Sequence, residues 1–255
     1  MFLGNIYVGE DPDNPLSIAD KHRLDALGLS IIYVNWGKVT GYGETTILSE
    51  LKAFRAVADS VPADNWIAKI DSDVLFLNDK IFDHVCQSKA DFIGQLEDAW
   101  RTFTYSQGGC YFVRAGFVSR WDSVTKDDVD SIAMQLLERF RRIGRPKSKS
   151  EMSQCPEDVY FHHIAKNNGG RIELLQYYLP LWHFDRFALD GRRFCLEKPT
   201  FIQAIMSPRM ALGVWMHDFR LRCGRYSVLH FTGCKERMQE ISRLIDSITI
   251  NDPDF

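Results

Sequence analysis

An excess of charge of either sign is missing from this sequence: 31 basic residues stand against 34 acidic ones, for a net charge of −3. That balance argues against a nucleic-acid binder and against general attraction to anionic membranes. Long apolar runs are also missing. No stretch approaches the roughly 20 apolar residues of a membrane-spanning helix, and the opening Met1 to Asn14 has no basic flank followed by a long apolar segment. No transmembrane segment or secretory leader is therefore expected, and the reading is cytoplasmic, for a chain that is whole or one part of a longer polypeptide. The six cysteines, at 86, 110, 155, 195, 223 and 234, form no C-x-x-C pair. Zinc ribbons and redox dithiols are thereby disfavoured, and reduced core thiols are expected. There is no internal repeat and no low-complexity tract.

What is present suits a globular protein. The 255 residues are 45% hydrophobic with nine prolines, enough for one substantial core in a single domain. Strand-like runs alternate with helical patterns through the first two thirds, which argues for an α/β sheet flanked by helices. Strands are expected at 6–8 and 29–34, around a helix over 17–27 whose apolar side is Ile18, Leu24 and Leu27 and whose stop is Gly28. A helix over 46–59, with Leu48, Leu51, Phe54, Val57 and Ala58 at helical spacing, leads into a strand over 66–70. Further helices are expected at 79–86, 115–124, 127–142 and 156–166, the last with Pro156 in its first turn. Further strands are expected at 91–95, 109–114, 171–176 and 226–231, and a closing helix at 234–248. Residues 182–225 are irregular and rich in aromatic residues and arginine.

Chemistry concentrates first at Asp71-Ser72-Asp73. Two carboxylates one residue apart follow the run Trp66-Ile67-Ala68-Lys69-Ile70 and precede Val74-Leu75-Phe76-Leu77, so the chain carries two charges between apolar segments. Buried like charges resist joint ionisation, and a divalent cation with oxygen ligands removes the conflict. Gly108-Gly109 precedes an apolar strand, where glycine permits close approach of backbone to a ligand, an ordinary tight turn being the plainer explanation. Glu157 and Asp158 open a helix, whose dipole alone explains two acids there. Late in the chain, His230-Phe231-Thr232-Gly233-Cys234-Lys235 ends a strand on an imidazole, which with a carboxylate suits Mn²⁺, and Gly-x-Lys suits phosphate.

At these residues the chain resembles the nucleotide-sugar-dependent glycosyltransferases of the GT-A fold. The resemblance covers roughly residues 5–240 and rests on four short motifs in the right order. It implies a Rossmann-like mixed, mostly parallel sheet flanked by helices, with 1–110 as the nucleotide-binding half. Residues 111–255 would be the acceptor-binding half, with an insertion at about 182–225. It implies that Asp73 and His230 bind Mn²⁺ or Mg²⁺, that Asp71 joins the metal or faces the ribose or a metal-bound water, and that Lys235 meets the diphosphate. Tyr7, Val8 and Gly9 would border the nucleotide base, and Gly108 and Gly109 would line the sugar pocket. The implied donor is a nucleoside-diphosphate sugar, of the UDP type as a family expectation, and the implied acceptor is a glycan or glycolipid.

Such a transfer builds negative charge on the leaving diphosphate, which a cation stabilises, while the acceptor hydroxyl loses a proton. A carboxylate at a helix start can take that proton, an effect worth about 10²–10⁴ in rate. Asp158 is the first choice of general base and Glu157 the second, and on that assignment the anomeric carbon is inverted. The His-x-x-Gly-x-Lys ending also resembles retaining members of the fold, so retention is the alternative. Two further readings stay open. A sugar nucleotidyltransferase shares the sheet and metal, but the acidic Gly9-Glu10-Asp11-Pro12-Asp13 disfavours a triphosphate. A non-catalytic glycan-binding protein would keep the acids and His230 as structural groups. Trp100, Arg101, Tyr105 and the aromatic-rich stretch are candidate acceptor contacts. The basic run Arg139 to Lys149 reads as a solvated loop, or as a contact for an anionic acceptor or for a membrane surface approached peripherally.

Overall fold

A computed structural model of the protein describes residues 4–10, 12–13, 15–37, 43–99, 103–144, 146–148, 151, 157–180 and 227–230. Lys235, the stretch 182–225 and the expected closing helix lie outside the described residues, as do Trp100 and Arg101.

The protein is a mixed α/β structure. Strand β1 (Ile6–Gly9) is followed by helix α1 (Ile18–Asp25), β2 (Ile31–Val34), α2 (Glu44–Ala58), β3 (Trp66–Ile70) and β4 (Val74–Phe76). Then come α3 (Lys80–Gln87), β5 (Phe92–Ala99), β6 (Phe103–Arg114), the short α4 (Ala115–Val118) with a 3₁₀ turn over Ser119–Trp121, and α5 (Lys126–Arg142). Helix α6 (Glu157–Asn167) and strands β7 (Ile172–Leu174), β8 (Tyr178–Pro180) and β9 (Val228–His230) complete the described elements.

The described strands do not form one mostly parallel sheet. They form a parallel pair β1-β2, a four-stranded sheet β3-β6-β5-β7 and a three-stranded sheet β4-β9-β8. Pairings β3-β6, β5-β6 and β4-β9 are antiparallel, while β1-β2, β5-β7 and β8-β9 are parallel. The physical reason is that β5 and β6 follow one another closely in the chain and fold back as an antiparallel pair, which needs no crossover helix.

Alternation along the strands divides the core. Ile67, Phe92, Tyr111 and Val113 point to one face, covered by Ile47, Leu51 and Phe54 of α2 and by α4, α5 and α6. Ile93, Cys110 and Phe112 point to the other, with Ile81 and Val85 of α3, Tyr178 and Val228. This is the period-two pattern of a sheet buried on both sides. Helix α5 presents Val129, Ile132, Leu136 and Phe140 inward at helical spacing, and its start is fixed where the Thr125 amide donates to Asp128 at 2.8 Å. The stripe expected on α1 behaves otherwise: Ser17 caps the helix, yet Ile18 and Leu27 are exposed and no residue of α1 is buried. The single helix expected over 115–124 is instead α4 plus a 3₁₀ turn. Among the described residues no helix is long and apolar enough to cross a membrane.

Candidate functional site

Asp71 and Asp73 lie in the turn where the chain leaves the four-stranded sheet for the three-stranded one. The Asp71 amide donates to the Gly109 carbonyl at 2.9 Å, and the Val74 amide closes the turn onto the Asp71 carbonyl at 3.2 Å. Strand β4 then pairs with β9 so that Val74 lies opposite His230. This pairing brings residues from distant parts of the sequence together: carboxylate oxygens of Asp71 and Asp73 and a ring nitrogen of His230 lie within 4.8 Å of one another. His230 Nε2 is 3.3 Å from Asp73 Oδ1.

Two features fix the imidazole. The β5-β6 ladder shifts register between Gly94 and Gln95, so Gly94 pairs with Tyr111 and Gln95 with Gln107. Gly108, Gly109 and Cys110 are the residues passed over, and a Cβ at Gly109 would collide with the His230 imidazole. The space above Gly109 is thus taken by the imidazole. The second feature is Tyr178, whose hydroxyl lies 2.6 Å from His230 Nδ1, with both side chains buried. Tyr177, just before it, has φ +62°, the one positive φ outside glycine among the described residues. Backbone held there is strained and needs surrounding support, which the Ser227 and Val228 amides supply by donating to the Tyr177 carbonyl at 2.7 and 3.0 Å.

On the opposite face of β3, alternation places Lys69 in phase with Ile67 and in register with Tyr111. Its ammonium is 2.6 Å from Asp71 Oδ1 and 3.0 Å from Glu157 Oε1. Burial alone would lower the lysine, but Glu157, Glu50 and Asp71 together hold it above the ordinary lysine range. Asp71 is raised, chiefly by burial and also by Glu157 and Asp73, while Lys69 pulls it down. Glu50 shares the inward stripe of α2 with Ile47, Leu51 and Phe54. Its Oε2 is buried with no hydrogen-bond partner among the described residues. Burial, reinforced by Glu157, Asp71 and Asp158 against the pull of Lys69, pushes its carboxyl up to about 8.

The sequence-derived residues therefore separate. Asp71, Asp73 and His230 converge, and Glu157 joins them through Lys69. Asp158 is buried beside this group, with Oδ1 accepting from the Val159 amide at 2.7 Å; its charge raises both Glu50 and Tyr111. Tyr7 is engaged elsewhere, its hydroxyl 2.9 Å from Ser60 Oγ and its ring beside Trp36, while Val8 and Gly9 pair with Tyr33 and Val34. Lys69, Glu50 and Tyr178 were not anticipated. A lysine and a glutamate at inward-facing positions of a strand and a helix were legible as anomalies of phase; nothing in the sequence marked Tyr178.

The donor set fits a hard divalent cation. It offers two carboxylates and an imidazole, and the 3.3 Å between His230 Nε2 and Asp73 Oδ1 is close to the about 3 Å edge of an octahedron with ligands at about 2.1 Å. When His230 Nδ1 donates its proton to the Tyr178 oxygen, the Nε2 lone pair is directed toward Asp73, as a metal ligand requires. Compared with protein-family models and with curated proteins, the sequence matches neither.

Proposed function

We propose that the protein is a cation-dependent glycosyltransferase that moves a sugar from a nucleoside-diphosphate donor to a hydroxyl acceptor on a glycan or glycolipid. The observation that carries this reading is the convergence of Asp71, Asp73 and His230 across the β3-β4 turn and β9. The GT-A arrangement is part of the proposal. When bound, Mn²⁺ or Mg²⁺ supplies positive charge against the departing diphosphate. Asp73 and His230 would hold that ion, with Asp71 the third candidate ligand.

Glu157 is committed to Lys69 at 3.0 Å, so the base falls to Asp158, already oriented by the Val159 amide. Asp158 would accept the acceptor's proton as its oxygen attacks the anomeric carbon, with inversion. A second reading is supported by the same contacts: Lys69 neutralises Asp71, and the Asp73–His230 contact is an ion pair if the imidazole is protonated. A non-catalytic glycan-binding protein would need nothing more.

A hydrolysis screen over nucleotide sugars, run with Mn²⁺ and then with chelator, separates the two. The glycosyltransferase reading expects donor turnover that Mn²⁺ supports, that chelator removes and that Asp73→Ala abolishes. Glycan binding indifferent to chelator and to Asp73→Ala and Asp158→Ala, with no turnover of any donor, would favour the second reading. Retention at the anomeric centre, read by proton NMR of the first product, would remove Asp158 from its role.

A further inference from the structure

We propose that Tyr177, with Glu173 and His84, forms a subsite for a pyranose ring of the acceptor glycan. The assignment deepens the reading above and rests on it for the class of ligand. Tyr177 stands at φ +62° in the turn between β7 and β8. For a bulky residue that conformation is an outlier, because its Cβ crowds the following carbonyl, where glycine has no Cβ and asparagine is tolerated. The Ser227 and Val228 amides explain how the backbone is held there. They do not explain an aromatic side chain. Tyr177 is 37% exposed, so burial offsets little of the strain. Stability alone favours glycine at this position, and a ring kept against that preference points to a surface used for contact.

The surroundings suit a sugar. The rings of His84 and Tyr177 meet edge to face, with centroids 6.4 Å apart and planes at 79°. The imidazole is itself held, with Nε2 3.3 Å from the Leu174 carbonyl oxygen. The plane of the tyrosine ring is therefore set before a ligand arrives, which lowers the ordering cost of binding. Glu173 supplies the polar half. Its side chain is 42% exposed, the Ser88 hydroxyl donates to Oε2 at 2.6 Å, and Oε1 lies 3.9 Å from His84 Nε2. An aromatic face takes the apolar C–H face of a pyranose, and a fixed carboxylate accepts from its hydroxyls. The position also fits, since the next residue, Tyr178, contacts His230. A glycan whose end occupies the candidate site would lay an inner sugar on Tyr177.

Isothermal calorimetry with a panel of neutral cello-, malto-, manno- and chito-oligosaccharides, together with thermal unfolding, tests this. Tyr177→Gly should raise the melting temperature by about 2–4 °C while weakening the parent's best oligosaccharide by about 10-fold. Tyr177→Asn should follow it on both counts, because asparagine also tolerates the left-handed backbone. Tyr177→Phe should keep the affinity, since the ring makes the contact. Unchanged affinity in Tyr177→Gly would overturn the proposal. So would a melting temperature below the parent's, because packing on His84 would then account for the ring, and so would a parent that binds no member of the panel. Donor turnover with Mn²⁺ separates the subsite from the reading above. Ring-dependent glycan binding with no turnover of any donor would keep the subsite and remove the transferase, whereas turnover with the same acceptor KM in Tyr177→Gly would keep the transferase and remove the subsite.

Discussion

Gly109 is tied to one side chain, His230, whose ring fills the place of a Cβ. Gly109→Ala must push the imidazole off Asp73 or bend β6, so it should cost about 1–3 kcal/mol in chemical denaturation and weaken Mn²⁺ binding as well. A variant with unchanged Mn²⁺ affinity would mean that the imidazole is not a ligand. Tyr178 orients the same ring from the other nitrogen. Tyr178→Phe should weaken Mn²⁺ by about 10–100-fold, the usual cost of losing such an outer partner, whereas an unchanged affinity would show the phenol to be only packing. Glu50 makes a prediction in pH. Its carboxyl, pushed up from the ordinary 4.5 to about 8, chiefly by burial, keeps a proton in the folded chain that the unfolded chain releases. Its contribution to stability is therefore fully present below about pH 4.5 and is lost as pH rises through about 8. In chelator, Glu50→Gln should gain stability relative to the parent as pH rises from 5 to 8; parallel curves for the two proteins would contradict the protonated carboxyl.

Helix α6 has two acids at its head and two imidazoles at its middle, and each pair makes a different demand. Glu157 and Asp158 face the candidate site, while His162 and His163 are buried in the same element. Burial lowers both imidazoles to about 4, helped by His163 and Lys166 at the first and by Arg139 and Lys166 at the second. A histidine whose folded value lies below its unfolded 6.5 takes up its proton in the unfolded chain first. Its stabilising contribution is present above about pH 6.5 and is lost as pH falls toward 4. The unfolding midpoint should drop across that window, less steeply in His162→Asn/His163→Asn. Equal slopes would assign the acid sensitivity to other groups. Strand β3 carries the other lesson at this scale. Read as an apolar run, it hides that Lys69 shares the phase of Ile67 and so must face the interior. Likewise the inward stripe of α2 includes Glu50 between Ile47 and Leu51. In both elements a charge at an inward position was a signal of the polar network that went unread, because period fixes which way a side chain points.

At the scale of the whole molecule, helices and strands governed by local pattern were legible: α2, α5 and α6 lie within two residues of their expected bounds, and β3 ends at the acid pair as expected. The partition of the described strands into three sheets was not legible. Pairing is a non-local choice, and nothing in the three residues of β4 says that they leave β3 and join β9. Strand β8 was missed because it is three residues long and ends on Pro180, yet it delivers Tyr178 to His230. The convergence of Asp71, Asp73 and His230 was anticipated from motif order, and the strand register supplies its physical basis; the contacts of Tyr7 and the lysine bridge were not anticipated. What the fold accomplishes is to carry an acid turn out of one sheet and a histidine to the end of another, at one place. The most direct test of that claim is titration of Mn²⁺ by electron paramagnetic resonance into the parent, Asp73→Asn and His230→Ala, each with a nucleoside diphosphate present. The account predicts one bound ion per chain in the parent and loss of that ion in both variants. Binding that survives both substitutions, or its absence from the parent, would contradict it.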